Sequence, residues 1–226
     1  GSFADELEGV KNKLLEMGGL AEQQIKMAIE ALNNDDKDVS KEVISRDELV
    51  NELEVNIDEE TSRIIALRQP AASDLRLVIS VTKISNDLER IGDEAVKIAR
   101  QVMTLRKEPR SRTNYAEIKM IGERVSNMLR AALDAFTRLD PQAAFEVRIG
   151  DKHVDDDFAA ALNNMRVLME EDGSMIRSIL CEIWVLKALE RIGDHACNIA
   201  EQVIFLDKGL YVRHLSSAEL RDLLAS

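Results

Sequence analysis

Glu89 and Asp93 stand four residues apart inside the segment LERIGDEAVKIA, and Glu190 and Asp194 stand four apart inside its second copy, LERIGDHACNIA. Nine of the twelve aligned positions carry the same residue, and the agreement continues through Gln101-Val102 and Gln202-Val203. Two carboxylates one helical turn apart have Cβ atoms about 6 Å from each other, close enough to grip one cation or bracket a small cluster. A second polar row precedes each pair. Asp47 with Asn51 and Asp151 with Asp155 align without a gap when Ala31 is set on Ala135. Placed on a neighbouring helix, each row completes a set of four oxygen ligands. All-oxygen sites suit Mg, Ca, Mn or ferric iron better than copper, and the absence of Cys and His from the pairs weighs against structural zinc.

Acidic pairs are common in so charged a chain. With 42 acidic residues in 226, spacing-four pairs arise by chance about eight times, so one pair alone is a weak motif. Repetition in both copies favours a metal role over a merely charged surface or a partner-docking face. Like charges at this spacing also disfavour a helix by a few tenths of a kcal/mol, which a counter-ion removes. His195 follows Asp194 directly, either as an exposed side chain or as a softer ligand. Gly92 and Gly193 lie between the acids, where glycine costs a helix about 1 kcal/mol relative to alanine; close helix approach, room for a cluster, or inert packing each accounts for them. Arg90 and Arg191 read as surface arginines or as partners for the same acids.

The elements that carry these residues are helices. Aromatics make up 4% of the chain and prolines number three, and Leu, Ile, Ala, Glu, Lys and Arg dominate. Leu7, Val10, Leu14, Met17, Ala21, Ile25 and Ala28 form one apolar stripe, ended by Asn33 to Asp38. A second helix runs from about Val39 to Leu67 with Val43, Val50, Ile57, Ile64 and Ile65 inward, and stops before Pro70. Ser73 or Asp74 is the expected cap of a third, with Val81, Ile84, Leu88, Ile91, Ala95, Ile98, Val102 and Leu105 in heptad register, ended by the polar stretch 107–113. The pattern then repeats. Ile118 to Phe136 is a fourth helix, Asp140-Pro141 opens a fifth reaching about Met169, Asp172-Gly173-Ser174 breaks the chain, and Leu189, Ile192, Ala196, Ile199, Val203 and Leu206 reproduce the third helix's stripe in a sixth. Ser216 or Ser217 caps a final turn or two.

The fold class is therefore all-α. Two tandem three-helix bundles, six long helices related by an internal repeat, occupy 3–107 and 114–210, with a short helical tail over 211–226. In this geometry Glu89, Asp93, Glu190 and Asp194 point away from the apolar stripes.

Bulk properties exclude several functions. A net charge of −12 and a pI near 4.8 repel phosphate backbones, so nucleic acid is not an expected partner. No apolar run reaches the roughly 18 residues of a membrane span, and no signal-peptide pattern is present, so a cytoplasmic protein is expected. Cys181 and Cys197, about 24 Å apart along one helix, cannot pair within it, in keeping with reduced thiols. No GxSxG, Walker loop, Cys-His pairing or HExxH occurs, so catalysis is not expected. The alternatives are a metal storage protein or a ferritin-like di-metal oxidase, but the latter needs Glu-x-x-His pairs, and none of His153, His195 or His214 follows an acid by three. The long stripes lead us to expect a homodimer.

The two LERIGD segments, RQPAASDLR from Arg68 to Arg76, and ERIGDHACNIAE from Glu190 to Glu201 resemble the PhoU family of bacterial phosphate-signalling regulators over nearly the whole chain. The resemblance implies paired three-helix bundles with E(D)xxxD motifs that hold metal clusters at the surface. Glu89 with Asp93, Asp151 with Asp155, and Glu190 with Asp194 match that motif; Asn51 beside Asp47 departs from it and is a weaker ligand. The implied role is an adaptor between the ATPase subunit of the phosphate ABC transporter and a membrane sensor histidine kinase, repressing the phosphate-starvation response when phosphate is plentiful.

Overall fold

The computed structural model describes residues 2–109 and 115–226. Among them are seven α-helices and no strand: α1 (Phe3–Asn34), α2 (Lys37–Arg68), α3 (Ala72–Leu105), α4 (Ala116–Arg138), α5 (Pro141–Glu171), α6 (Ile176–Lys208) and the short α7 (Ser217–Ala225). A 3-10 turn at Gly173–Met175 separates α5 from α6. The polar stretch after α3 is described as far as Pro109; the rest of it, and the boundary at 114, lie outside the described residues.

Local chemistry sets the helix ends. Ser2 and Asp5 form a reciprocal capping box at the start of α1, and Asp36, Asp140 and Ser216 each accept a hydrogen bond from backbone N–H groups of the first turn they precede. Each such cap contributes about 1 kcal/mol. The α1–α2 and α4–α5 turns are copies of each other. Asp35 and Leu139 are left-handed at φ 50° and 49°, and each is followed by an extended aspartate cap whose N–H reaches back to Ala31 or Ala135. The start of α3 departs from expectation. Ala71 precedes it without a side-chain cap, while Ser73 and Asp74 lie inside the first turn. The Asp74 N–H is already taken by the Ala71 carbonyl at 3.2 Å, so the acid acts on the positive helix end from within.

The predicted stripes are the core. Leu88, Ile91, Ala95, Ile98 and Val102 on α3, and Leu189, Ile192, Ala196, Ile199 and Val203 on α6, are all buried, each large side chain worth about 1.5–3 kcal/mol. Ile65 is the exception, 44% exposed. Adjacent helical residues diverge by 100°, and Ile64 already takes the inward position.

The halves pack against each other along two seams, α3 on α6, the most extensive helix pair, and α1 on α4. The second seam shows internal symmetry in its contacts. A Cβ on Gly18 would stand 2.5 Å from Leu133, and one on Gly122 would stand 2.9 Å from Ile29. The shift that sets Ala31 on Ala135 carries Gly18 onto Gly122 and Ile29 onto Leu133, so each half presents the same glycine notch to the same branched side chain of the other. Beyond α6 the chain turns at Gly209 (φ 75°) and folds back. Val212 is buried, the Arg148 guanidinium donates to the carbonyls of Val212, at 2.9 Å, and Leu215, and α7 packs on α5.

Candidate metal centre

In the second half, α5 brings Asp151 and Asp155 beside Asp194 of α6, with carboxylate oxygens of all three within 4.8 Å of one another. Two oxygens bound to one cation at about 2.0–2.6 Å are at most about 4–5 Å apart, so this convergence matches a shared hard cation. Gly193 makes it possible. The Cβ it lacks would stand 3.3 Å from Asp151 Oδ1 and 3.4 Å from Val125, so α5 carries its aspartate hard against α6. Asp151 Oδ1 is buried and, among the described residues, has no hydrogen-bond donor. Burial, then repulsion by Asp194, Asp155 and Glu190, pushes the Asp151 carboxyl up to about 7; burial, then Asp155 and Glu190, pushes Asp194 up to about 6. A desolvated carboxylate with an orphaned oxygen and acidic neighbours lacks a counter-charge of the kind that a hard cation would supply.

Glu190 takes a different role from its three companions. Its Oε1 lies 2.7 Å from Lys187 Nζ, an ion pair one turn along α6 that turns the carboxylate toward an internal cation.

The first half is assembled in the same way but with different chemistry. A Cβ on Gly92 would meet Asp47 Oδ1 at 2.7 Å and Gln24 Oε1 at 3.0 Å. Asp47 Oδ1 accepts from Gln24 Nε2 at 3.2 Å, and the exposed Asn51 also donates to this carboxylate. Burial, a hydrogen bond shared with Asp93, and repulsion by Asp93, Glu54 and Asp47 push Glu89 up to about 7. Among the described residues, three carboxylate oxygens do not converge here as they do around Asp151.

Glu89, Asp93 and Glu190 are half-buried, and Asp194 is the most open of the four although its carboxylate is crowded by those of Asp151 and Asp155, so the acids lie outside the hydrocarbon core but along the walls of helix grooves rather than on open faces. Asp47, Glu89 and Asp93 of one half and Asp194 of the other line a common groove of about 850 Å³ on the α3–α6 seam, with Arg90, Lys97, Arg100 and Arg191 between them.

A model of the PhoU domain matches residues 14–102 and again residues 118–203. The chain belongs to the PhoU family. It is 50% identical over 213 residues to the phosphate-specific transport system accessory protein PhoU homolog of Pseudomonas putida, covering 94% of this chain and 83% of that protein. It is 40% identical over 225 residues to the accessory protein PhoU of Escherichia coli K12, covering 100% and 93%. The crystal structure of PhoU from Pseudomonas aeruginosa superimposes with a TM-score of 0.90 at 49% identity, over 92% of this chain and all of that one. The phosphate transport system regulatory protein PhoU of Streptococcus pneumoniae does so with 0.86 at 28% identity, over 93% and 99%.

Within this PhoU chain, two cluster residues went unnoticed in the sequence. Glu54 lies two turns beyond Asp47 on α2; its Oε2 is buried without a partner among the described residues, and burial, then Asp58 and Asp93, raises its carboxyl above the ordinary range. The i, i+4, i+7 row Asp47, Asn51, Glu54 was the available signal. In the second PhoU repeat the aligned residue is Phe158, whose ring lies 5.7 Å beneath Lys187 Nζ. Lys187 is the other, standing where the first repeat has Asn86. His195 is half-buried rather than freely exposed. Its Nδ1 lies 2.9 Å from Asp87 Oδ1 of the opposite half. Arg191 reaches Glu94 across the same seam at 3.8 Å.

Proposed function

We propose that this protein regulates phosphate uptake and signalling as an adaptor, contacting the ATPase subunit of the phosphate ABC transporter and the sensor histidine kinase, and holding the kinase inactive when phosphate is plentiful. The observation that carries this reading is the likeness, over nearly its full length, to proteins named as accessory to the phosphate-specific transport system. It acts by binding, not by catalysis, in the cytoplasm and as a homodimer; no helix of the described residues is long and apolar enough to cross a membrane. An adaptor also needs apolar surface to offer. Ile176, Leu180 and Trp184 are exposed one turn apart on α6, with Trp184 59% exposed, a stripe of the kind that a partner helix covers.

The carboxylate clusters fit a divalent or ferric ion, Mg, Mn, Fe or Ca. Asp151, Asp155 and Asp194 would hold it in the second half, with Glu190 available once released by Lys187; in the first half Asp47, Glu89, Asp93 and Glu54 are the candidate ligands, with Asn51 the weaker one, although their carboxylates do not converge as those around Asp151 do. When bound, such a cation would supply the positive charge that these groups otherwise lack, held by residues of α2 and α3 in one half and of α5 and α6 in the other. The protein's own residues do the rest: Gly92 and Gly193 set the helix spacing, and Gln24 orients Asp47.

Capture of the purified ATPase subunit and of the kinase's cytoplasmic portion by the immobilised chain tests the adaptor role. Binding to both is expected, and retention of neither would sink the reading. Metal analysis of the wild type and of a Glu89→Ala, Asp151→Asn double variant tests the clusters, with loss of bound metal expected.

A further inference from the structure

Past Arg90 and His195, a second groove of about 490 Å³ runs along the α3–α6 seam, with the segment between α6 and α7 as its outer wall. That wall is held independently of any ligand: Tyr211 stacks on Phe205 at 4.4 Å between ring centroids, Val212 is buried, and Arg148 grips the backbone on either side of His214. A preformed groove of this size is in the range that small ligands occupy.

Its charges are unevenly satisfied. Asp87, one of the two carboxylates in it, is met by His195 Nδ1 at 2.9 Å and Asn198 Nδ2 at 3.4 Å. Glu201, the other, is met by Arg213 Nε at 3.7 Å. The cations outnumber them. Among the described residues Arg90 has no carboxylate within ion-pair distance, and Lys83 has for company the Tyr211 hydroxyl at 3.5 Å and the face of its ring. In a chain of net charge −12, positive groups left without acids are out of keeping with the surrounding surface. Guanidinium groups from two separate elements, Arg90 on α3 and Arg213 on the return segment, converge on one groove, and such forks match phosphate oxygens better than they match any neutral ligand.

We propose that this groove binds a small phosphate-bearing anion, with Arg90, Arg213 and Lys83 as its charged contacts and Asn86 and His214 as further hydrogen-bonding groups. The site requires neither the adaptor role nor a bound cation, so its test stands apart from theirs. The anion is either inorganic phosphate or a phosphorylated small molecule, and the groove has room for both.

Calorimetric titration of the full chain in the presence of a chelator, with inorganic phosphate, pyrophosphate and ATP as separate probes, tests the site. Saturable binding of one anion per chain, weakened by added salt, is expected from at least one probe; tighter binding of ATP than of phosphate identifies the ligand as a phosphorylated molecule, and the reverse identifies free phosphate. Arg90→Gln and Arg213→Gln, both at exposed positions and on different elements, each weaken binding at least about tenfold, while Lys119→Gln in the cleft between α1 and α4 leaves it unchanged. No saturable binding of any probe, binding indifferent to both arginine substitutions, or an equal loss in Lys119→Gln overturns the proposal.

Discussion

The side chain that Gly92 lacks would place its first carbon 2.7 Å from Asp47 Oδ1, whereas the equivalent carbon on Gly193 would lie 3.3 Å from Asp151 Oδ1. The same motif thus encloses the two carboxylates with different tightness. Alanine gains about 1 kcal/mol of helix propensity at either position, but at Gly92 overpacking of about 1–3 kcal/mol opposes it. Gly92→Ala is expected to lower the unfolding free energy by about 1 kcal/mol net, and Gly193→Ala to leave it nearly unchanged. Chemical denaturation of the two variants checks this; equal effects would show that the tighter contact relaxes freely.

Stability and the proposed cation binding are expected to respond to pH through the raised carboxyls. Burial first, and acidic neighbours second, push Asp151 and Glu89 up to about 7 and Asp194 up to about 6. A carboxyl whose folded pKa lies above its unfolded value stabilises the fold while protonated, and that contribution is lost as pH rises through the folded value. Without metal, the melting temperature is therefore expected to fall between pH 5.5 and 8, and a divalent cation added at pH 8 to restore it. Cation binding near neutral pH releases protons, measurable as a dependence of binding heat on the buffer's ionisation enthalpy. A metal-free melting temperature that climbs across this interval contradicts the assignment.

The Lys187 ammonium at 2.7 Å from Glu190 competes with any cation for that carboxylate. Lys187→Ala is expected to tighten cation binding in the second half about two- to fivefold, the gain from releasing an ion pair of about 0.5–1 kcal/mol. Asp151→Asn alters the proposed ligand whose Oδ1 is buried and is expected to weaken binding at least about tenfold. Manganese titrations followed by paramagnetic relaxation distinguish the two directions.

Trp184 is the chain's one tryptophan and lies on the exposed α6 stripe. Trp184→Ala is expected to leave the melting temperature within about 2 °C of wild type, since surface changes rarely exceed about 0.5 kcal/mol, while reducing capture of a partner. A large loss of stability with capture intact would assign the residue to packing instead.

Much of the fold was legible in order of sequence. Apolar residues at spacings of three and four located all six long helices, and Asp140-Pro141 and Ser216 marked starts that the structure keeps, because caps and periodicity are local properties. The start of α3 was misjudged for the complementary reason. Ser73 and Asp74 both have capping side chains, but the turn after Pro70 brings the Ala71 carbonyl to the Asp74 N–H first. Ile65 was misplaced because two adjacent isoleucines satisfy the same periodicity equally well, and the packing of α2 on α1 and α3 selects one of them.

By itself the sequence determined that there are two copies of one helical unit and that each carries acids one turn apart, since both follow from repetition and from the 3.6-residue period. Only the tertiary structure decided what those acids meet: that Gly193 admits Asp151 to Asp194, that Glu54 joins the first cluster while Phe158 stands in its place in the second, and that Lys187 takes hold of Glu190. Those relations depend on the distance and rotation between helices. Side chains remote in sequence settle that geometry jointly, and no single segment encodes it.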